Sequence, residues 1–313
     1  MGTDWCPRNL SKEKIMYDII VIGAGPAGLS AAIYARRSGK TVLVLEESTY
    51  GGQIVNTPDV ENYPGIAHVS GFDFATNLYN QAKDFGAEFK FEKAVGIEGG
   101  DVKKVKTPNG EYESKAVIIA TGAKNRKLGL DNEESMIGKG VSYCATCDGM
   151  FFRDKNVAVN GGGNTALEDA FFLSNYCKKV YVIHRRDEFR GDEKDVEKLR
   201  DKENVEFVLD STVAEIITSD DHVSGVKVKN KKTEEERVLD VDGLFVAIGQ
   251  VPDNEDFKDI VELENGYVKA LEDCKTKTPG IFVAGDCRTK SVRQLATAAA
   301  DGAIAGIAAS QYV

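Results

Sequence analysis

The sequence has few histidines and cysteines and no long apolar run. Its 313 residues include only three histidines, which are widely scattered, and six cysteines, of which one pair has a motif spacing. No apolar run approaches the roughly 18 residues of a membrane-spanning helix, and the polar start of the chain lacks the apolar region of a signal peptide. The net charge of -10 disfavours nucleic acid and anionic membranes as main partners. We therefore expect a cytoplasmic protein, long enough for two ordinary domains.

The cysteine pair with a motif spacing is Cys144 and Cys147, and Asp148 follows it directly. If the stretch begins a helical turn, the two sulfurs share a face and can cycle between dithiol and disulfide. The same spacing also occurs in zinc sites. Zinc is disfavoured because the chain has no second pair of this kind and no nearby histidine. The pattern therefore favours redox chemistry, with no metal.

A nucleotide-binding pattern opens the chain. An apolar strand over residues 17–22 runs into Gly23, Gly25 and Gly28, spaced as G-x-G-x-x-G, and a helix over 27–37 follows. A second strand, 41–45, ends at Glu46, which could bind a ribose hydroxyl. The glycines permit a tight turn, a close approach of the backbone to a pyrophosphate, and packing of the helix on the strand.

The same pattern returns 138 residues further on. A strand over 156–159 leads into a G-x-G-x-x-A loop, a helix over 166–177 and a strand over 180–183. The predicted nucleotide contacts of this loop are Gly161, Gly163, Asn164, Thr165 and Ala166. A strand over 243–248 closes the second copy as 116–120 closes the first. The repeat predicts an α/β fold with two Rossmann-like nucleotide-binding domains.

The second copy ends in cations where the first ends in an acid. His184, Arg185 and Arg186 follow its second strand, and Arg190 lies four residues beyond Arg186. Guanidinium groups suit a 2′-phosphate, so the pattern favours NADP over NAD. Further along, residues 250–257 are predicted to form a loop that returns to the first domain. A last strand over 281–284 and an alanine-rich helix over 294–311 follow it.

These motifs together closely resemble those of the low-molecular-weight, bacterial-type thioredoxin reductases, in the FAD- and NAD(P)-dependent pyridine nucleotide-disulfide oxidoreductase family. The resemblance covers nearly the whole chain from Tyr17 on, and its most specific stretch is the sequence from Cys144 to Gly149. It implies a homodimer that reduces thioredoxin with electrons from NADPH, passed through FAD and a Cys144–Cys147 disulfide. It also implies that Cys147 faces the flavin, that Cys144 attacks thioredoxin, and that Asp148 is a general acid or base.

The resemblance further implies a domain plan and a set of cofactor contacts. Residues 1–15 are an extension, residues 16–122 and 249–313 form a three-layer FAD-binding domain, and residues 123–248 form an inserted NADPH-binding domain that carries the cysteine pair. The residues expected to contact FAD are Gly23, Gly25, Gly28, Glu46, Gln53, Asn62, Gly285, Asp286, Arg293 and Gln294. The glycine loop and basic cluster of the second copy are expected to hold NADPH.

Several alternatives share these motifs. The reductase of a peroxiredoxin system normally carries an N-terminal thioredoxin-like region, which the short polar extension with Cys6 cannot supply. A flavin dithiol oxidase or a ferredoxin-driven thioredoxin reductase would make the basic cluster superfluous. A non-catalytic redox sensor would bind NADPH without steady turnover. One departure from the family is Asn160, a polar residue at a strand end that is usually apolar, and it bears on NADPH affinity.

Overall fold

The computed structural model describes residues 15–57 and 59–313, so nearly all of the predicted extension, including Cys6, lies outside the described residues. The chain forms two compact units. The first comprises the described residues up to 52, residues 76–122 and residues 253–313, and the second comprises 53–75 and 123–252. None of the helices in the described part of the chain has the length and apolar character that a bilayer crossing requires.

The elements follow one another in alternation typical of α/β proteins. The helices are α1 Pro26–Arg37, α2 Gly71–Asp84, α3 Ala145–Asp148, α4 Asn164–Ser174, α5 Glu193–Arg200 and α6 Leu295–Tyr312. The strands are β1 Met16–Ile22, β2 Val42–Glu46, β3 Glu88–Phe91, β4 Gly96–Glu98, β5 Lys103–Thr107, β6 Gly110–Ile119, β7 Ala123–Asn125, β8 Val141–Ser142, β9 Asn156–Gly161, β10 Lys179–Ile183, β11 Val205–Val208, β12 Ser211–Ser219, β13 His222–Asn230, β14 Glu236–Leu239, β15 Gly243–Ala247, β16 Gln250–Pro252, β17 Leu263–Glu264, β18 Tyr267–Val268 and β19 Ile281–Val283.

The first unit is built on a sheet in the order β3-β2-β1-β6-β5-β4, with β19 paired to β6. Strands β3, β2, β1, β6 and β19 are parallel, and β5 and β4 extend the sheet antiparallel. Successive side chains of β1 lie on opposite faces of the sheet and pack in two different hydrophobic cores, Ile19 in one and Ile20 in the other. Burial on both faces explains why this strand is a continuous apolar run.

The second unit contains a fully parallel sheet in the order β11-β10-β9-β15-β8 and a separate antiparallel sheet, β12-β13-β14. The residue Asn160 lies buried within β9, where it pairs in register with Ile183 and Val246. The strand pairing therefore continues through this polar position to the glycine loop. The predicted α/β class with parallel sheets is confirmed.

The structure corrects two details of the predicted elements. Residues 250–252 are not loop but the strand β16, which pairs antiparallel with β7. Their backbone groups are satisfied by this two-stranded ribbon, a pairing distant in sequence that no local pattern reveals. Helix α4 ends at Ser174 instead of residue 177, and the amide of Asn204 donates hydrogen bonds to the carbonyls of Ser174 and Cys177.

Candidate active site

The cysteine pair forms a disulfide across one short helical turn. The sulfurs of Cys144 and Cys147 are bonded, and their Cα atoms lie 5.3 Å apart. Cys144 has extended backbone angles and occupies the N-cap of α3, so its carbonyl accepts hydrogen bonds from the amides of Cys147 and Asp148. The predicted helical turn thus places both sulfurs on one side. The disulfide rules out a bound zinc on these two sulfurs in this oxidation state.

Asp148 follows Cys147 directly, and only one of its two carboxylate oxygens has a hydrogen-bond partner among the described residues. The hydroxyl of Ser142 donates a 2.6 Å hydrogen bond to Oδ2, while Oδ1 is buried and has no hydrogen-bond partner among the described residues. Burial raises the pKa of Asp148, and the hydrogen bond from Ser142 offsets part of this effect. A buried carboxyl beside a thiol pair is a candidate group for holding or releasing a proton.

The topology of the second sheet brings the disulfide to the same edge as the second glycine loop. Strand β8, which ends at Ser142, is parallel to β15, and β15 is parallel to β9, which ends at Gly161. Ligands of open parallel sheets bind outside the carboxyl ends of the strands. The sheet therefore presents the disulfide and the second glycine loop along one edge.

The glycines of the first loop differ in the space around them. A Cβ on Gly28 would lie 1.9 Å from the carbonyl oxygen of Gly23, and a Cβ on Gly23 would lie 2.3 Å from that of Ala120. A Cβ on Gly25, in contrast, would meet nothing within 4 Å. Gly25 is the N-cap of α1 and no side chain caps that helix, so open space lies where the amides of the first turn would face an anion.

Glu46 is the acid at the end of β2, and it contacts the same loop. Its two carboxylate oxygens accept hydrogen bonds from the amides of Ala24 and Ser48, at 2.8 and 3.0 Å. An ionised carboxylate can accept about four hydrogen bonds. Glu46 therefore fixes the loop and retains capacity for a ribose hydroxyl.

The Gly285–Asp286 turn follows β19 at the carboxyl edge of the first sheet. Asp286 is largely buried, its Oδ1 has no hydrogen-bond partner among the described residues, and burial raises the pKa of its carboxyl. Such a group fits a ligand that donates hydroxyl hydrogen bonds, as a ribityl chain does. Arg293 donates to the carbonyl of Asp286 and covers the ring of Tyr267, and Gln294 caps α6.

Two predicted flavin contacts lie outside the first unit. Gln53 and Asn62 belong to the segment 53–75, which is part of the second unit. The amide of Gln53 donates a 3.2 Å hydrogen bond to the carbonyl of Ala123 in that unit. Both side chains are exposed, and their role toward FAD stays a prediction.

The second glycine loop repeats the geometry of the first. A Cβ on Gly161 would lie 2.3 Å from the carbonyl oxygen of Ala247, while a Cβ on Gly163 would meet nothing within 4 Å. Gly163 is the N-cap of α4, whose first turn contains Asn164, Thr165 and Ala166 and no acidic residue. The loop can therefore accept a pyrophosphate at the start of α4.

The basic residues after β10 divide into one buried ring and three exposed guanidinium groups. His184 is buried and stacks on Phe189, and a Cβ on Gly162 would lie 2.2 Å from its ring. Burial lowers its pKa, and the neighbouring arginines lower it further, so the imidazole is neutral at pH 7. Its Nε2 is buried without a partner among the described residues.

The three arginines therefore carry the positive charge of this cluster. Arg185, Arg186 and Arg190 are exposed. Within the described ranges, no carboxylate lies within 4.0 Å of their guanidinium groups. Unpaired guanidinium groups at the end of β10 fit a 2′-phosphate.

Sequence reasoning did not single out Ser142. Its hydroxyl accepts from the amide of Cys144 at 3.1 Å and donates to Asp148, so it joins both ends of the redox motif. Its spacing of six residues to Asp148 matches neither the helical nor the strand period. Only the turn of α3 brings these groups together.

Comparison with known proteins assigns a family to this geometry. Residues 17–303 match the model of the pyridine nucleotide-disulphide oxidoreductases. The chain is 43% identical over 306 residues to a thioredoxin reductase of Listeria monocytogenes, which covers 97% of this chain and 95% of the relative. It is 42% identical over 307 residues to a thioredoxin reductase of Bacillus subtilis, with 97% and 96% covered. The crystal structure of thioredoxin reductase from Streptococcus pyogenes has a TM-score of 0.89 at 43% identity, covering 95% of this chain and 98% of that one.

Proposed function

The chain belongs to the pyridine nucleotide-disulphide oxidoreductase family, and we propose that it is a thioredoxin reductase that passes electrons from NADPH through FAD and the Cys144–Cys147 disulfide to thioredoxin. The observation that carries this proposal is the disulfide at the sheet edge that also bears a nucleotide loop, with Asp148 behind it. Relatives named thioredoxin reductase at 42–44% identity over nearly the whole chain support it.

The two units would divide the cofactors between them. The Gly23–Gly28 loop, Glu46 and the Gly285–Asp286 turn would hold FAD. The Gly161–Ala166 loop would hold the pyrophosphate of NADPH, and the exposed arginines its 2′-phosphate. A bound flavin supplies two-electron chemistry between a nicotinamide and a disulfide. Two features of the described part of the chain support this assignment: Oδ1 of Asp286 has no hydrogen-bond partner there, and no atom there fills the space beside Gly25 and Gly163.

The cysteines would then act in two thiol–disulfide exchanges. Two electrons and two protons convert the Cys144–Cys147 disulfide to a dithiol. The thiolate of Cys144 attacks one sulfur of the thioredoxin disulfide, and the other sulfur leaves as a thiolate that takes up a proton. Cys147 then attacks the mixed disulfide, which restores the Cys144–Cys147 bond and releases reduced thioredoxin. Each exchange requires one cysteine to lose its proton.

Asp148 is the group placed to move these protons. Its carboxyl is buried, its pKa is raised, and Ser142 is the only hydrogen-bond partner of its oxygens among the described residues. Ser142 also accepts a hydrogen bond from the amide of Cys144, so the Asp148 carboxyl is held in a fixed orientation relative to the cysteine pair.

We propose a homodimer in the cytoplasm, with the cofactor domains bounded as the family resemblance implies.

One set of measurements tests the electron path. The purified yellow protein is mixed anaerobically with NADPH, flavin absorbance is followed, and thioredoxin is then added with a disulfide reporter. We expect rapid bleaching and thioredoxin-dependent turnover. Cys144→Ser should abolish turnover and spare bleaching, whereas the buried Cys177→Ser control should retain both. Bleaching by dithionite but not by NADPH would reject NADPH as donor and favour a ferredoxin-driven reductase or an oxidase.

A further inference from the structure

A buried ionic cluster lies behind the Gly285–Asp286 turn of the first unit. The cluster consists of Asp301 on α6 and the cations Arg288 and Lys290, whose side chains are each 6% exposed or less. Arg288 donates to both oxygens of Asp301, from Nε at 2.8 Å and from Nη2 at 2.9 Å, and Lys290 donates from Nζ at 2.9 Å. We call these three residues the Asp301 cluster.

The Asp301 cluster holds the peptide that precedes Asp286. Oδ2 of Asp301 also accepts a 3.0 Å hydrogen bond from the amide of Gly285, and the carbonyl of Gly285 accepts a 3.3 Å hydrogen bond from the amide of Arg288. Gly285 has φ +81°, and a Cβ there would lie 2.7 Å from that of Ala27, so both its conformation and its surroundings require glycine. Both backbone polar groups of Gly285 are therefore fixed, and the direction in which Asp286 leaves the turn is fixed with them.

The charges of the cluster make this anchor rigid. Burial alone would raise the pKa of Asp301, but hydrogen bonds from Arg288 and Lys290 outweigh it and hold the pKa below its ordinary value. Glu272 lies 3.5 Å from Arg288 but is 90% exposed, so water screens it. Two buried cations thus depend on a single buried carboxylate, and removal of one partner from such a group is strongly destabilising.

We propose that Asp301 is a positioning residue for flavin binding: it orients the Asp286 carboxylate, through the amide of Gly285, toward hydroxyl groups of FAD. This inference rests on the proposed function, which places FAD at Asp286. Asp301 itself is enclosed by protein partners and acts only through the turn. Asp286 supplies the acceptor, since its Oδ1 is buried and has no partner in the described part of the chain.

The test is a double-mutant cycle on FAD affinity in the full-length protein. Apoprotein is prepared from the wild type, Asp286→Ala, Asp301→Asn and the double variant, and each is titrated with FAD by flavin fluorescence. We expect each single substitution to raise the Kd at least tenfold, and the double variant to match Asp286→Ala alone, because residues that act through one another are not additive. Cys274→Ala is the matched control, since the Cys274 thiol contacts the backbone carbonyl of Asp301 and not its carboxylate.

A second variant separates positioning from folding. Lys290→Met in the Asp301→Asn background removes one of the two cations left without a buried carboxylate and should restore part of the melting temperature that Asp301→Asn costs the apoprotein. The Kd for FAD should stay high, because Gly285 still lacks its anionic anchor. Recovery of FAD affinity together with stability, or additive effects in the cycle, would overturn the positioning role. A wild-type protein that binds no FAD would instead refute the proposed function, and this inference with it.

Discussion

The two open glycine positions allow the cofactors to be assigned to the units by a crossed experiment. Gly25 and Gly163 are the N-caps of α1 and α4, both are extended with ψ 179°, and a Cβ on either would meet no protein atom within 4 Å. Gly25→Ala and Gly163→Ala therefore place the same methyl group into equivalent open spaces. We expect Gly25→Ala to weaken FAD binding alone, and Gly163→Ala to weaken NADPH binding alone.

The size of the effect follows from what the methyl group displaces. It would push a pyrophosphate away from the first amides of the helix and break at least one charge-assisted hydrogen bond, which contributes about 1.5–3 kcal/mol. Since about 1.4 kcal/mol corresponds to a factor of ten, the Kd should rise roughly 10- to 100-fold. Alanine is also a poorer N-cap than glycine, by up to about 1 kcal/mol, but this penalty is common to both variants.

Isothermal titration with NADP+ and fluorescence titration of apoprotein with FAD measure the two affinities in each variant. A crossed pattern, with each variant impaired for one cofactor, is the expected result. Gly161→Ala serves as a steric contrast, because its Cβ would lie 2.3 Å from the carbonyl of Ala247 and should disturb folding of the second unit. If Gly163→Ala left NADP+ affinity unchanged, the pyrophosphate would not lie at α4 and the reasoning would fail.

Four further predictions concern the second unit. Arg186→Ala should raise the Kd for NADPH roughly 10- to 100-fold through the loss of charge-assisted hydrogen bonds and leave the Kd for NADH unchanged. Arg237 pairs with Glu206, so the control variant Arg237→Ala should alter neither Kd. Equal losses of affinity for both nucleotides would contradict a 2′-phosphate site. Burial raises the pKa of Cys177 to about 11, so iodoacetamide at pH 8 should label it only after unfolding, and rapid labelling of the folded protein would refute its burial. The pKa of Asp148 is raised on folding, so ionisation of its carboxyl lowers the stability of the folded protein as pH rises from the ordinary pKa through the folded pKa. The oxidised Asp148→Asn variant should therefore have a higher melting temperature than the wild type at pH 7 and the same melting temperature near pH 3. A difference independent of pH would show that ionisation is not the cause. The same variant should slow disulfide reduction roughly 10²- to 10⁴-fold and spare flavin reduction.

The elements nearest the two glycine loops could be predicted from the sequence because their signals are local. The apolar run into Gly23 and the glycine spacing predict β1, the loop and α1, and their repeat at Gly161 predicts the second sheet. The turn at Cys144 was predicted in the same way, since its two sulfurs need only the spacing of one helical turn. The pairing of β7 with β16 could not be predicted, because it joins two three-residue segments that lie about 125 residues apart and share no local pattern.

The supporting residues of the site escaped prediction for a related physical reason. Ser142 and Asp301 act through hydrogen bonds to groups that other elements position, so neither lies in a motif of its own. In α6, Asp301 is one acid among small residues, and its sequence context indicates only close helix packing. In the folded chain, the segment after β19 brings the amide of Gly285 and the guanidinium of Arg288 within hydrogen-bond distance of the Asp301 carboxylate. A motif thus predicts which residues are candidates for contact with a cofactor, whereas the groups that hold those residues in place depend on contacts between elements distant in sequence.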